Sequence, residues 1–581
     1  MTHVKPVNLR GDKNRGMRNW LVLAVVLSGV GLTLRVYSQG VATRGATAAP
    51  RMAPSGKPYL VNFTDIAASV GLKARFVNGG ETVKKYIIEA NGAGVAFFDF
   101  DNDGWEDIFL VNGSRLNEPG AGGNYLFRND HGKFVDVTEK AGMSRKGWGF
   151  GVCGGDIDND GFDDLFVTYW GSNVLYRNTG KGGFRAEVWP DKGEWSTGCS
   201  FLDYDRDGNL DLVVTRYMEF DPAKVPLPGA PPNCEWKGVA VFCGPRGLPK
   251  GGLRLYQGHG DGTFTDVTAK TGVSAAGSFY GFTAVAADLN HDGWIDIYVA
   301  GDSSPSVMLR NNKNGTFSEI GSETGLAFSE HGYEQGGMGL AVGDFDNDGR
   351  LDIAKTNFAG DYPNLYRNLG RGIFEDVVMK AGLAVNPQYV GWGVGFVDFD
   401  SDGWLDVFQV NGHVYPELER KPGGEAFRSP RLLYRNLGNG RFEDVSATVG
   451  PGVTHRASSR GAAFTDFDND GDMDVLIMNM NEAPSLLRNE SKTGNGWLQV
   501  SVQGAAMGAV VTLEAGGRKQ AQTVLSQTSF LSYNGRRLHF GLGRSTRVDA
   551  LTVAWPSGRT ERFAVPVINR LMRLEEGKGQ S

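Results

Sequence analysis

Asp99-Phe100-Asp101-Asn102-Asp103-Gly104-Trp105-Glu106-Asp107 puts an acid at every second position, follows the third acid with glycine, and closes with a fourth acid. The same D-x-D-x-D-G-x-x-D frame starts again at Asp156, Asp203, Asp288, Asp344, Asp398 and Asp466, with one departure, Asn290 in the fourth copy. Successive starts lie 57, 47, 85, 56, 54 and 68 residues apart, a period in the range of propeller blades.

Each copy has the same surroundings. A Gly-rich apolar stretch such as Gly94-Val-Ala-Phe-Phe98 precedes it and an apolar run such as Ile108-Phe-Leu-Val111 follows, so the cluster joins two strands of a hairpin. A third element recurs as Leu126-Phe-Arg-Asn129, Leu175-Tyr-Arg-Asn178, Leu365-Tyr-Arg-Asn368, Leu433-Tyr-Arg-Asn436 and Leu486-Leu-Arg-Asn489. A fourth recurs as Phe134-Val-Asp-Val-Thr138 and Phe264-Thr-Asp-Val-Thr268, with a degenerate copy near Phe184. Four strands per unit is a blade, and seven units predict an all-β, seven-bladed propeller over residues 59–490. No fourth element follows Asn489, whereas Phe63-Thr-Asp-Ile66 stands before the first unit. The N-terminal segment is therefore expected to supply the outer strand of the last blade and close the ring.

Alternate acids at positions 1, 3 and 5 of each loop, a glycine permitting the sharp turn, and a closing acid at position 9 direct oxygen ligands at one point. The candidate ligands are Asp99, Asp101, Asp103 and Asp107; Asp156, Asp158, Asp160 and Asp164; Asp203, Asp205, Asp207 and Asp211; Asp288, Asn290, Asp292 and Asp296; Asp344, Asp346, Asp348 and Asp352; Asp398, Asp400, Asp402 and Asp406; and Asp466, Asp468, Asp470 and Asp474. An all-oxygen set without His or Cys suits Ca²⁺ over zinc and over Mg²⁺, which sheds its waters reluctantly. Up to seven Ca²⁺ ions are expected, each stapling a hairpin, with the fourth site weakened by its Asn. Seven divalent ions would take the formal charge from −7 to −7 + 14 = +7, so the acidic balance is mostly ligand.

At 581 residues, with 84 Gly, 11% aromatic and 22% charged residues, the chain has room for a large β-domain and a smaller one. Nucleic acid is an unsuited partner for acid gathered in loops. Residues 1–58 form an export segment and linker: five basic residues precede an apolar run, Trp20 to Leu34, that serves equally as cleaved signal or anchor. The chain is then secreted, periplasmic or at the cell surface, touching membrane through that run alone. In an oxidising compartment Cys234 and Cys243, bracketing a short Pro/Gly-rich loop, are expected to pair, while Cys153 and Cys199, at similar places in two successive repeats, read first as small buried thiols, with a bridge between them as the lesser alternative.

The seven loops and their flanking strands resemble the FG-GAP (VCBS-type) repeats of integrin α-subunit propellers. Residues 491–581, with Gly496-Trp-Leu-Gln-Val500, Leu538-His-Phe-Gly-Leu-Gly543 and Val548-Asp-Ala-Leu-Thr-Val-Ala-Trp-Pro-Ser-Gly558, resemble the ASPIC/UnbV domain and alternate like a small β-sandwich. That pairing is similar to the cartilage acidic protein 1 family, which implies a secreted or surface calcium-binding protein. It implies no particular reaction.

Loop lengths vary between second and third strands, at 112–124, 216–253 and 411–431, which marks one face of the disc for a ligand. Residues entering the innermost strands on that face include Glu89, Asn91, Trp148, Trp195, Tyr280, Gln335, Trp392, Arg456 and Arg460. Rings, amides and charges of this kind suit an extracellular glycan or protein ligand, and bulky rings also serve simply to fill a hub. No catalytic motif is present, so the reading favours an adhesion, scaffold or ligand-binding protein. The alternative is a secreted carbohydrate-active enzyme using Glu89 with His455 or Arg456 as an acid/base pair.

Overall fold

A computed structural model describes residues 40–190, 194–231, 234–421, 425–504 and 506–580. The basic and apolar segment read as an export signal lies outside the described residues. Among those described, no helix is long and apolar enough to cross a membrane.

The first unit lays down Val95–Phe98, Asp107–Leu110, Tyr125–Asn129 and Phe134–Asp136 as an antiparallel meander. With this first unit included, the pattern occurs seven times among the described residues. The innermost strands are Val95–Phe98, Trp148–Gly155, Glu194–Leu202, Gly281–Ala287, Leu340–Gly343, Gly391–Val397 and Ser459–Thr465. Each touches the next and the last touches the first, so the units form a closed ring. Closure takes the expected form: Phe63–Asp65 pairs antiparallel with the third strand of the last unit, Phe63 facing Asn489. The degenerate copy near Phe184 is a full outer strand, Phe184–Val188, paired along all of Val174–Asn178.

The C-terminal domain is two sheets. Arg537–Gly543, Gly496–Val502 and Leu571–Leu574 make one; Arg518–Thr523, Val510–Ala515, Ala550–Ala554 and Thr560–Phe563 make the other. Period-two alternation buries Leu498, Val500 and Val502 of the first and Val511, Leu513, Leu551 and Val553 of the second between them.

Between strands Arg518–Thr523 and Arg537–Gly543 the chain leaves this domain and runs into the ring. Residues 525–535 reach all seven blades. Tyr533 exchanges main-chain bonds with Val95 and Phe97 of blade one (3.0 Å each). In blade two, Val152 N donates to Leu531 O and Gly154 N to Ser526 O. The Gln527 amide oxygen accepts from Cys199 N and Ala284 N in blades three and four. Ser529 pairs with Leu340 of blade five, and its hydroxyl oxygen accepts from Val394 N of blade six; Asn534 Oδ1 accepts from Phe464 N of blade seven. The ladder register shifts just before Val152, Cys199, Ala284 and Val394. Such shifts leave an amide outside its own ladder, and here that amide turns to the plug. Gly154 shows how tight the fit is, since an added Cβ would run into the Tyr533 ring.

On the opposite face residues 40–58 form a strap. Val41 and Ala42 are buried at the hub, with Ala42 N donating to Ser303 Oγ (2.8 Å). Arg44 then pairs with Asp361, Ser55 with Glu443, and Tyr59 with Asp406, before the chain enters the last blade. Cys234 and Cys243 are bonded as expected. Cys153 and Cys199 are bonded as well, which corrects their reading as free thiols: the ring sets these residues of adjacent innermost strands with Cα atoms 5.8 Å apart.

Candidate metal centres and a closed hub

All seven loops wind alike. The residue at position 4 is left-handed in every copy (Asn102, Asn159, Arg206, His291, Asn347, Ser401, Asn469), as is the glycine at position 6. Asparagine, tolerant of that region, fills position 4 in four copies, and glycine alone fills position 6 without strain. The position 1 carboxylate clamps the turn, accepting from the amides at positions 5 and 6: Asp103 N at 3.0 Å and Gly104 N at 2.9 Å onto Asp99, and the same pair onto Asp156, Asp203, Asp288, Asp344, Asp398 and Asp466. The position 5 carboxylate accepts from position 7, as Asp103 does from Trp105 N (2.9 Å).

The winding gathers the predicted ligands. Carboxylate oxygens of Asp99, Asp101 and Asp107 lie within 4.8 Å of one another, as do those of Asp156, Asp158 and Asp164 and of Asp203, Asp205 and Asp211. In loops five and six the groups so gathered are Asp344, Asp346 and Asp348, and Asp398, Asp400 and Asp402. In loop four Asn290 Oδ1 accepts from Asp292 N (2.9 Å).

The position 3 carboxylates carry the strongest sign of a missing partner. In three of them the outer oxygen is taken: Asp158 by Arg177 (2.5 Å), Asp346 by Arg367 (2.6 Å), Asp205 by Gln257 (2.7 Å). The inner oxygens Oδ1 of Asp101, Asp158, Asp205, Asp346 and Asp468 are buried with no hydrogen-bond partner. A buried carboxylate oxygen left alone is costly, and five alike in one chain fit a cation at the point they share. Burial and mutual repulsion push the cluster carboxyls up: Asp99, Asp156 and Asp203 to about 6, Asp344 and Asp466 to about 7, Asp164 to about 8. All-oxygen donors at this density fit a hard divalent ion.

Two positions in the recurrent Leu-x-Arg-Asn element matter more than the sequence reading allowed. The arginine is that outer-oxygen partner in blades two and five, as Arg177 and Arg367, whereas Arg488 of blade seven pairs with Glu490. The asparagine donates its main-chain N–H to the position 9 carboxylate, as Asn129 does to Asp107 (2.7 Å), and its side-chain amide to position 2 of the preceding loop. Asn129 reaches Phe467 O (2.8 Å), Asn178 Phe100 O, Asn311 Tyr204 O, Asn368 Leu289 O, Asn436 Phe345 O and Asn489 Phe399 O. Loop is thereby stitched to loop around the ring. Blade three has Gly258 there, which keeps the main-chain bond to Asp211 and cannot make the stitch. The recurrence of Arg-Asn was the available signal.

The ligand face expected over the hub is not open, which corrects that reading. Glu89, Asn91, Trp148, Trp195, Tyr280, Gln335, Trp392 and Arg460 are all buried; Arg456 is exposed. Loops on that face fold inward, so that Phe220, Trp236, Phe242, Tyr415 and Val41 pack onto the same cluster. Arg460 lies over the Trp392 ring at 4.1 Å and donates to Ala90 O. Trp392 donates to Gly412 O and Tyr280 to Leu248 O. Glu89 accepts from the amides of Gly80, Lys85 and Tyr86, so it fastens a loop. The rings fill the hub.

A closed ring of Asp-loop hairpins with a β-sandwich seated in it defines the chain as a propeller of FG-GAP repeats. The description "FG-GAP-like repeat" matches residues 99–167, 156–214, 240–299, 288–354 and 428–477, and "ASPIC and UnbV" matches 500–581. Over most of its length the chain is homologous to cartilage acidic protein 1. It is 26% identical over 525 residues to the Xenopus tropicalis protein, covering 83% of this chain and 73% of that one. Integrin alpha-6 of Gallus gallus is 28% identical over 221 residues, covering 36% of this chain and 20% of that protein. Among solved structures, an Agrocybe aegerita lectin shares 17% identity at a TM-score of 0.39, covering 69% of this chain and 94% of that one, a likeness too distant to speak to function.

Proposed function

We propose that this chain is an exported calcium-binding propeller that works as a surface adhesion, scaffold or ligand-binding protein, with calcium as a structural staple in each loop. The inner oxygens of the position 3 carboxylates, buried and unpartnered in five loops, carry the calcium reading. When bound, the ion supplies positive charge that lets three or four carboxylates share one site. In loops two and five the chain's own arginines hold the outer oxygens aside so that the inner ones stay free to ligate. Two disulfides support an oxidising destination. Because Val41, Ala42 and Arg44 are built into the hub and its rim, we place any processing of the N-terminal segment before Gly40.

A glycan or protein partner remains our reading of what is bound. Room for it lies beside the hub, in a cavity of about 430 Å³ lined by Glu194, Arg216, Phe220, Lys224, Leu248 and Pro249. The deciding experiment for the calcium reading is titration calorimetry on chelator-stripped protein, with bound metal counted independently. Uptake approaching seven Ca²⁺ per chain with a higher melting temperature is expected; absence of both would remove the reading. A glycan array probed with wild type and Lys224→Glu tests the cavity, where loss of a hit in the variant is expected and equal binding counts against that location.

A further inference from the structure

We infer that the C-terminal domain is latched onto the propeller by the calcium-wound state of loops one, six and seven, so that calcium holds the plug in the ring. The inference rests on the calcium reading above. Its own basis is where the domain makes its contacts.

Arg537 donates to Gly104 O of loop one (2.7 Å) and to Asn469 Oδ1 of loop seven (2.8 Å). Gln499 donates to Asp466 Oδ2 (2.6 Å), and the His539 ring meets Gly471 O (3.0 Å), both in loop seven. In loop six, Asn495 donates to Asp400 O (2.8 Å), Gly543 N to Ser401 O (2.9 Å), and Arg518 to Asp402 O. Six of these seven acceptors sit at positions 3 to 6 of a loop, and the seventh is a position 1 ligand candidate. Five of the six are main-chain carbonyls whose direction is fixed by the left-handed residues at positions 4 and 6. Unwinding the loop would turn them away.

Winding is also what crowds the carboxylates together, and without a cation that crowding is repulsive. Ion and docked domain therefore select the same loop conformation, and each must stabilise the other by linkage. The plug follows the platform. Residues 525–535 are strung between strands Arg518–Thr523 and Arg537–Gly543, which carry four of the six contacting residues. Loop five, Asp344–Asp352, receives no hydrogen bond from this domain among the described residues, and so provides an internal control.

The test is hydrogen exchange on the full chain, with calcium uptake followed on the same material. In calcium the amides of Ser529 and Tyr533, which donate to Leu340 O and Val95 O, should be protected. Chelation should speed their exchange by at least about tenfold while strand Val510–Ala515 inside the domain stays protected, and added Ca²⁺ should reverse the change. In calcium, Asp402→Asn in loop six should speed exchange at Tyr533, which bonds to blade one, and Asp348→Asn in loop five should leave Tyr533 near wild type. No calcium uptake would sink the calcium reading itself. Uptake with unchanged exchange at 525–535 would overturn the latch alone. Equal loss of protection over Val510–Ala515, or equal effects of the two substitutions, would overturn it too, because either means general unfolding in place of undocking.

Discussion

Replacing Tyr533 by alanine tests whether ring and C-terminal domain are one cooperative structure when calcium is present. The side chain is fully buried in the channel, and its hydroxyl donates to Asp163 Oδ2 at 3.0 Å. Truncating a buried aromatic costs about 3–5 kcal/mol, and about 4 kcal/mol is a fair central value here. Unfolding entropy runs near 2.1 cal/mol/K per residue, so a unit of roughly 500 residues carries about 1.1 kcal/mol/K and should lose only about 4 °C in Tm. A C-terminal domain melting alone, with roughly 85 residues and about 0.2 kcal/mol/K, would lose on the order of 20 °C. Scanning calorimetry in calcium should show one transition lowered by a few degrees. Two transitions, with the smaller displaced by the larger amount, would refute the view that the plug makes one body of the two domains.

Further outcomes follow from the same geometry. Asp99, Asp156, Asp203, Asp344 and Asp466 are raised from 3.8 to about 6 or 7 in the ion-free fold, which therefore holds protons that the unfolded chain has already lost between about pH 4 and 7. Their contribution is present below the unfolded value and lost as pH rises through the folded one. The Tm gap between calcium-loaded and chelated protein should accordingly widen from pH 5 to pH 8; a gap that narrows contradicts the assignment. Asn436→Ala removes the stitches to Phe345 O and Leu405 O, leaving buried carbonyls that cost about 1–3 kcal/mol. Chemical denaturation should register that loss, and a neutral result would deny the stitch a structural role. Cys153→Ser opens a link spanning 46 residues, worth about 4 kcal/mol by loop entropy, against about 3 kcal/mol for Cys243→Ser with its separation of 9. Denaturant midpoints of the two variants should fall in that order.

The fold was legible because its signals are local and repeated. The Asp frame, the Gly-rich entry and the Leu-x-Arg-Asn strand each specify one blade, and the displaced Phe63-Thr-Asp-Ile66 specifies the closure. What escaped the sequence reading depends on the ring being closed. Cys153 and Cys199 hold similar places in two successive repeats but are 46 residues apart, and only adjacent innermost strands set side by side favour a bond over two free thiols. Trp148, Trp195 and Trp392 looked like a mouth because their strands were read one at a time, whereas seven strands converging leave a space that their own rings and the long loops fill. The plug was the hardest to see. Leu525-Ser-Gln-Thr-Ser-Phe-Leu-Ser-Tyr-Asn-Gly535 looks like a polar turn, and its small hydroxyls and amides acquire meaning only against seven blades that each present an amide or carbonyl to the axis.

A nearly symmetric ring also raises the question of what fixes the rotational setting of an asymmetric domain upon it. Position 8 of the Asp frame supplies an answer. It is apolar in five loops, as Leu210, Ile295, Leu351, Leu405 and Met473, and acidic in loops one and two, as Glu106 and Asp163. Both acids are buried, and consecutive arginines of the C-terminal domain meet them: Arg537 Nε lies 2.6 Å from Glu106, and Arg536 Nε donates to Asp163 at 2.6 Å. Rotating the domain by one blade would set at least one of these arginines over an apolar side chain and leave at least one buried carboxylate alone, which costs several kcal/mol. The pair Glu106 and Asp163 thus acts as a key cut into two adjacent blades. The equivalence of seven loops builds the ring, and it is the inequality at one position of the repeat that tells the second domain where to sit.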